Sequence, residues 1–497
     1  MTSLRSRTAR PFPLLAAALA AALTVSGCET NPATGGRMLS LMSGDQEKQV
    51  GGEEHPKLVQ EFGGEIQNAE VKRYVDSVGN LLVKTTETPD AQFTFSVLDS
   101  DIVNAFALPG GYVHITRGLM ALVNTEAELA GVVGHEIGHV TARHSAQLYT
   151  RSIFANILAA GLGIATGSAE LGQVAGQGAG LYIQSYSRDN EYEADSLGVR
   201  YMSRAGFDPQ QMAEFLKSLE AQSRLEAQIQ GLPPDSVDQF NIMATHPRTL
   251  DRVQRAISEA AEAKASHPEN GRDVYLRKIN GLIYGDSPDQ GFVRGNRFAH
   301  PQLRFAFEVP NGFRLANQPA SVLARNPSGA AISFSEIPQA QSMTPRNYLS
   351  RVNVQLGAIE DLNVNGMQAA TGVARVQSNG TVRDLRVVVV RFSPQHLFRF
   401  MFLTAPQQTA SLDDAFKRTV YSLKPLSASE AAALKPYRVQ VLRVRSGDTV
   451  ESLASRMPYS DLKVERFRVL NGLAEGATLT PGTLVKTIVE GDVQPVS

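Results

Sequence analysis

Apolar residues recur at helical spacing along some stretches of this chain and at strand spacing along others. Val71, Tyr74, Val75, Val78 and Leu81 or Leu82 return every three or four positions and predict a helix. Residues 93–98 alternate as Phe-Thr-Phe-Ser-Val-Leu and predict a strand. Residues 105–108 and 112–115 predict two more, with Pro109-Gly110-Gly111 turning between them. A second helix opens at Thr125-Glu126-Ala127-Glu128, a capping-box pattern, and buries Leu129, Val132, Val133 and Val140. Gly131, Gly134 and Gly138 lower its helix propensity but admit a close neighbour. Ser187 or Asp189 can cap a third helix with Leu197 and Tyr201 on its apolar stripe. Asp208-Pro209 opens a fourth, with Met212, Phe215, Leu216 and Leu219 inside. From about residue 273 alternation takes over: residues 303–309, 387–390 and 397–403 are β-rich, and a helix runs from 411 to near 423. In residues 437–490 the expected order is strand, helix, helix, strand.

At 497 residues the chain exceeds one core, and its texture divides it into segments. Residues 1–27 read as an export signal, 28–43 as a tether, 44–270 as one domain, 273–425 as a small α+β domain and 437–490 as a terminal module. Basic and acidic residues nearly balance, 48 against 49, which excludes a polyelectrolyte partner such as nucleic acid. The single cysteine, Cys28, excludes an internal disulfide and a cysteine-built zinc site. Arg5, Arg7 and Arg10 precede an apolar run over 14–25, too short and alanine-rich to span a membrane. Val25-Ser26-Gly27-Cys28 then resembles the bacterial lipobox, which implies a lipid on Cys28, a membrane anchor and a periplasmic-facing place in the cell envelope. Glu29 stands where an inner-membrane retention signal carries Asp, which favours the outer membrane.

The chemistry concentrates at His135-Glu136-Ile137-Gly138-His139. On a helix the two histidines lie one turn apart on one face, a spacing suited to a single Zn²⁺, and Glu136 points toward water on the open side of the metal. Zinc needs a third protein ligand, and the 187–195 helix supplies Glu191, with Asp195 one turn further on the same face. Asp195 suits either an acceptor for a ligand histidine N–H or a proton donor in the reaction. Gly138, between the ligands, is the expected crossing point of the Glu191 helix. The 104–107 strand is a candidate edge against which an extended peptide could pair. Residues 153–186 hold one charge, Glu170, among many Ala and Gly. Their apolar part, 153–165, is too short to span, and they read as an extension of the His135 helix and a glycine-rich lid.

These motifs, with Asn104-Ala105-Phe106-Ala107-Leu108-Pro109-Gly110-Gly111, Glu191-Tyr192-Glu193-Ala194-Asp195 and Thr245-His246-Pro247, resemble metallopeptidase family 48, the HtpX and CAAX-prenyl-protease type. The resemblance implies a mainly helical, gluzincin-like zinc endopeptidase domain with a small sheet, one Zn²⁺ per chain on His135, His139 and Glu191, and Glu136 as general base. It also puts His246 near the cleft. There His246 would stabilise the oxyanion, or occupy the open zinc position and hold the enzyme latent, or be a plain surface histidine; latency is favoured. The terminal module resembles a LysM domain, a β-α-α-β binder of N-acetylglucosamine polymers such as peptidoglycan, although Val450 and the last strand depart from the commonest pattern. The expectation is therefore a multidomain α+β envelope protease acting on unfolded or misassembled envelope proteins. The competing expectation is a peptidoglycan-tethered chaperone or scaffold with a latent zinc site.

Overall fold

The computed structural model describes residues 28–148, 186–231 and 269–496, apart from residues 41, 339–342 and 379, together with residues 150, 233, 252, 255 and 258. The export signal, nearly all of the expected lid and the Thr245-His246-Pro247 turn lie outside the described residues.

Strands β1 (Cys28–Thr30) and β2 (Arg37–Leu39) pair antiparallel as a short hairpin. The helix Gly44–Glu61 follows, entered through a capping box between Ser43 and Gln46. In the next helix, Ala69–Val83, Asn68 caps the first turn and Val71, Tyr74, Val75, Val78 and Leu82 are buried. Leu82 is the inward member of the Leu81–Leu82 pair, since Leu81 is 43% exposed. Strands β3 (Thr94–Leu98), β4 (Ala105–Leu108) and β5 (Tyr112–Thr116) form one sheet in the order β3-β5-β4, with β3 parallel and β4 antiparallel to β5. The β4–β5 turn needs its glycines, because Gly110 and Gly111 take φ of 81° and 94°. Strand β4 lies at an edge of this sheet, and all four of its residues are buried.

The His135 helix spans Glu126–Thr141, with the Thr125 hydroxyl accepting from Glu128 N. All but two of its residues are buried, so it runs through the core. It ends at Thr141; helix resumes over residues 144–148 after a turn at Ala142 and Arg143, and the expected extension over residues 153–186 lies outside the described residues apart from Tyr186. Arg143 takes the left-handed φ of 57°, which costs an L-residue about 1–2 kcal/mol. Ion pairs from its guanidinium to Glu29 and Glu47, and a hydrogen bond to the Met42 carbonyl, offset that cost. The Glu191 helix, Arg188–Arg204, is capped by Ser187 and lies across the His135 helix. A Cβ on Gly138 would sit 3.1 Å from Leu197 Cβ and 3.2 Å from the Ala194 carbonyl oxygen, so the two helices cross at Gly138. The helix Gln210–Gln230 packs nearer the start of the same glycine face, placing Met212 against Gly131.

Residues 292–425 hold two antiparallel sheets. One has seven strands, in the spatial order 314–318, 321–325, 331–336, 397–404, 381–391, 367–378 and 360–364. Phe305 and Phe307, from the other sheet, pack as tilted rings against Phe334, Phe398 and Phe400 of this one, and the helix Pro406–Tyr421 adds Phe416. The terminal strands Tyr437–Arg443 and Leu484–Glu490 pair antiparallel around the helices Val450–Ala454 and Lys463–Asn471, giving strand, helix, helix, strand in sequence. Val439, Phe467, Leu470 and Ile488 belong to the same apolar cluster as Leu122, Val123, Val133 and Leu219, so this module shares the core of the His135 helix. Lys486, fully buried, donates to the carbonyls of Ala121, Leu122 and Val123, at the turn into that helix. No helix among the described residues is long and apolar enough to cross a membrane.

Candidate metal centre

The crossing of the two helices brings the expected ligands together. His135, His139 and Glu191 are all buried, and one ligand atom from each lies within 4.8 Å of the others. His135 Nε2 and His139 Nε2 are 3.0 Å apart, and Glu191 carboxylate oxygens lie 3.8 and 3.5 Å from them. A tetrahedral zinc with ligand bonds of about 2.0–2.1 Å separates its ligand atoms by about 3.3–3.4 Å. Two imidazole nitrogens and a carboxylate at these separations fit Zn²⁺, and the chain holds the donor set of a zinc site. Glu136 is 1% exposed and extends from the same turn of the helix.

The other nitrogen of His135 settles the place of Asp195. His135 Nδ1 lies 2.9 Å from Asp195 Oδ1, which leaves Nε2 for the metal. Asp195 in turn receives two hydrogen bonds from Arg252, from Nε and from Nη2, each 2.8 Å. Arg252 Nη1 also reaches Glu191 Oε2 at 2.7 Å, so one guanidinium braces both Glu191 and Asp195. Burial alone would raise the Asp195 carboxyl, but the Arg252 charge and the hydrogen bonds from His135 and Arg252 outweigh it. Asp195 is thereby held ionised, well below the usual carboxylate range, and accepts from His135 and Arg252. The pattern reading did not find Arg252, which lies 57 residues beyond Asp195 and is marked by no local motif.

His139 has its own surroundings. Its ring stacks on Tyr186 with centroids 4.0 Å apart, and its Nδ1 lies 2.9 Å from Nδ1 of His144. Burial, with Glu136 and Glu191 nearby, raises the Tyr186 phenol above its usual range and keeps it protonated, and its oxygen lies 2.9 Å from Ser145 Oγ. His144 and Glu193 were also missed, although both stand within a few residues of the ligands. His246 lies outside the described residues.

Residues 68–260 match the model of Peptidase family M48. The chain is 31% identical over 296 residues to the beta-barrel assembly-enhancing protease of Escherichia coli (strain K12), covering 56% of this chain and 58% of that one. It is 32% identical over 226 residues to the protein of the same name from Yersinia pestis, covering 43% and 44%. With the mitochondrial metalloendopeptidase OMA1 of Schizosaccharomyces pombe it shares 27% identity over 240 residues, covering 47% and 66%. The chain thus spans a little over half the length of the first of these relatives. The matched region contains both crossing helices, all three candidate ligands, Glu136 and Arg252, and residues 68–260 are a peptidase family M48 domain.

Proposed function

We propose that this chain is a zinc-dependent endopeptidase of the bacterial cell envelope. The carrying observation is the buried set of His135, His139 and Glu191, with Glu136 on the same helix turn. Bound there, zinc supplies Lewis-acid polarisation of a peptide carbonyl and of the attacking water. Glu136 receives the proton of that water and passes it to the leaving amine nitrogen. Asp195 and Arg252 hold His135 and Glu191 in place. Strand β4 offers backbone groups to an extended substrate, so the substrates would be unfolded or misassembled envelope proteins. The name of the Escherichia coli relative ties that protein to β-barrel assembly, which agrees with an envelope substrate. A chaperone or scaffold with an idle site would have no need of so complete a donor set.

The finer parts of the reading rest on sequence. Cys28 would carry a lipid and hold the chain at the periplasmic face of the outer membrane. The terminal module, in its strand-helix-helix-strand order, would be LysM-like and offer peptidoglycan a fixed site beside the protease. His246 would keep the resting enzyme latent, so that His246→Ala raises cleavage of an unfolded protein; a steep fall would indicate an oxyanion role instead. The principal test is cleavage of an unfolded protein by the purified chain, abolished by a chelator and restored by stoichiometric zinc. Cleavage that ignores the chelator would overturn the metal-dependent mechanism.

A further inference from the structure

A line of hydrogen bonds leads from His139 out to the hairpin that begins at Cys28. His139 Nδ1 lies 2.9 Å from His144 Nδ1, and His144 Nε2 lies 3.0 Å from Glu193 Oε2. Glu193 Oε1 accepts from Asn31 Nδ2 at 2.9 Å and from Thr34 Oγ1 at 2.8 Å. Ligation of a metal through Nε2 leaves the His139 proton on Nδ1, which then donates to His144 Nδ1. His144 carries its own proton on Nε2 and donates to Glu193. Each link then has one donor and one acceptor, and the whole line is consistent with a neutral, metal-binding His139.

The hairpin is built to hold its end of the line. The Asn31 side-chain oxygen accepts from the backbone N–H of Ala33 and of Thr34, which fixes the turn and aims Nδ2 at Glu193. Asn31 is 4% exposed and Ala33 is packed in the main apolar cluster. On the other side Arg143, two residues past the His135 helix, ties Glu29 and Glu47 to that helix end. A passive spacer after an anchor site would need neither the buried asparagine nor the two donors onto one carboxylate oxygen.

We propose that the hairpin following Cys28 positions the zinc ligand His139 through Glu193 and His144, making the anchor-proximal segment part of the support of the metal centre. Asn31, Thr34, Glu193 and His144 are its positioning residues. The inference rests on the zinc reading above and adds to it a dependence of that site on residues 28–39.

The test uses the full chain and reads zinc affinity by competition with a chromophoric chelator, together with the visible spectrum of the cobalt-substituted protein. Asn31→Ala/Thr34→Ala and His144→Ala are expected to weaken zinc binding about 10–100-fold, as loss of an outer hydrogen-bond partner does, and to shift the cobalt bands. In the same variants kcat falls while KM holds, and Thr34→Ser restores wild-type behaviour at that position. Should the double variant not fold, Thr34→Ala alone carries the test, with a smaller loss of affinity expected. Wild-type affinity and an unshifted cobalt spectrum in these variants would overturn the inference. A wild-type chain that binds no zinc would instead overturn the proposed function, so the two failures are distinguishable.

Discussion

Glu191 and Asp195 stand one turn apart on the same helix, yet their surroundings assign them different work. Glu191 faces both imidazole Nε2 atoms, whereas Asp195 faces His135 Nδ1 and the Arg252 guanidinium. Glu191→Gln is therefore expected to lose zinc, and Asp195→Asn to keep most of it while activity falls about 10–100-fold. Metal content by elemental analysis checks this, and equal zinc loss in both would contradict the assignment. The pH dependence has a definite sign. The folded Asp195 carboxyl lies below its unfolded value of about 3.9, so its contribution to stability is complete above that pH and is lost on further acidification. Asp195→Asn should flatten the acid limb of a stability-against-pH curve, and an unchanged limb would mean that other carboxylates set it. His135, Glu136 and His139 were legible in the sequence because helical spacing puts them on usable faces, and Glu191 because a zinc held by two histidines needs a third protein ligand. Arg252 and the Asn31–Glu193 contact were not, because each joins segments 57 or more residues apart and depends on how the helices cross.

At the scale of elements, the crossing of the His135 and Glu191 helices governs the site. Gly134 and Gly138 pack against Gly198, Ala194 and Leu197 with no room for a methyl group at ordinary contact distance. Helix propensity alone would make Gly138→Ala favourable by about 1 kcal/mol. Packing reverses that sign, since the added Cβ meets Ala194 backbone at 3.2–3.3 Å and overpacking costs about 1–3 kcal/mol. Gly138→Ala is expected to lower the thermal midpoint and, by spreading the helices, to weaken zinc binding. A stabilised variant with wild-type affinity would show that the crossing yields easily. The start of the His135 helix was readable from Thr125, which caps it, although the Glu128 carboxylate accepts from Asn124 N and does not close the expected capping box, and its crossing point was readable from Gly138. Its end was not, because nothing local marks Arg143 for a left-handed conformation that depends on Glu29 and Glu47. The strands fared well for the opposite reason: β3 carries local alternation, and β4 and β5 flank a glycine turn that the register of the sheet then follows.

For the whole molecule, the terminal module sits in the core that carries the metal site. Lys486 is the one charged residue in the 484–489 run, and that oddity was the available sign of its role. Burial pushes its ammonium well below the usual lysine range while the nearby Glu128 carboxylate opposes the shift, and its three carbonyl partners precede the cap of the His135 helix. Lys486→Met keeps the apolar stem and leaves buried carbonyls unsatisfied, at about 1–3 kcal/mol for each that finds no other donor. Chemical denaturation should show one cooperative transition moved to lower denaturant, with the protease and terminal module unfolding together. Two separate transitions, with the protease transition unmoved, would mean that the module is an independent appendage.

The most direct test of the central claim compares the wild-type chain with Glu136→Gln on an unfolded protein substrate, with zinc measured in both. The account predicts about one zinc per chain in each and cleavage by the wild type alone, because the substitution keeps the ligands and removes only the proton acceptor. Cleavage that survives Glu136→Gln, or a wild-type chain that cleaves without zinc, would contradict it.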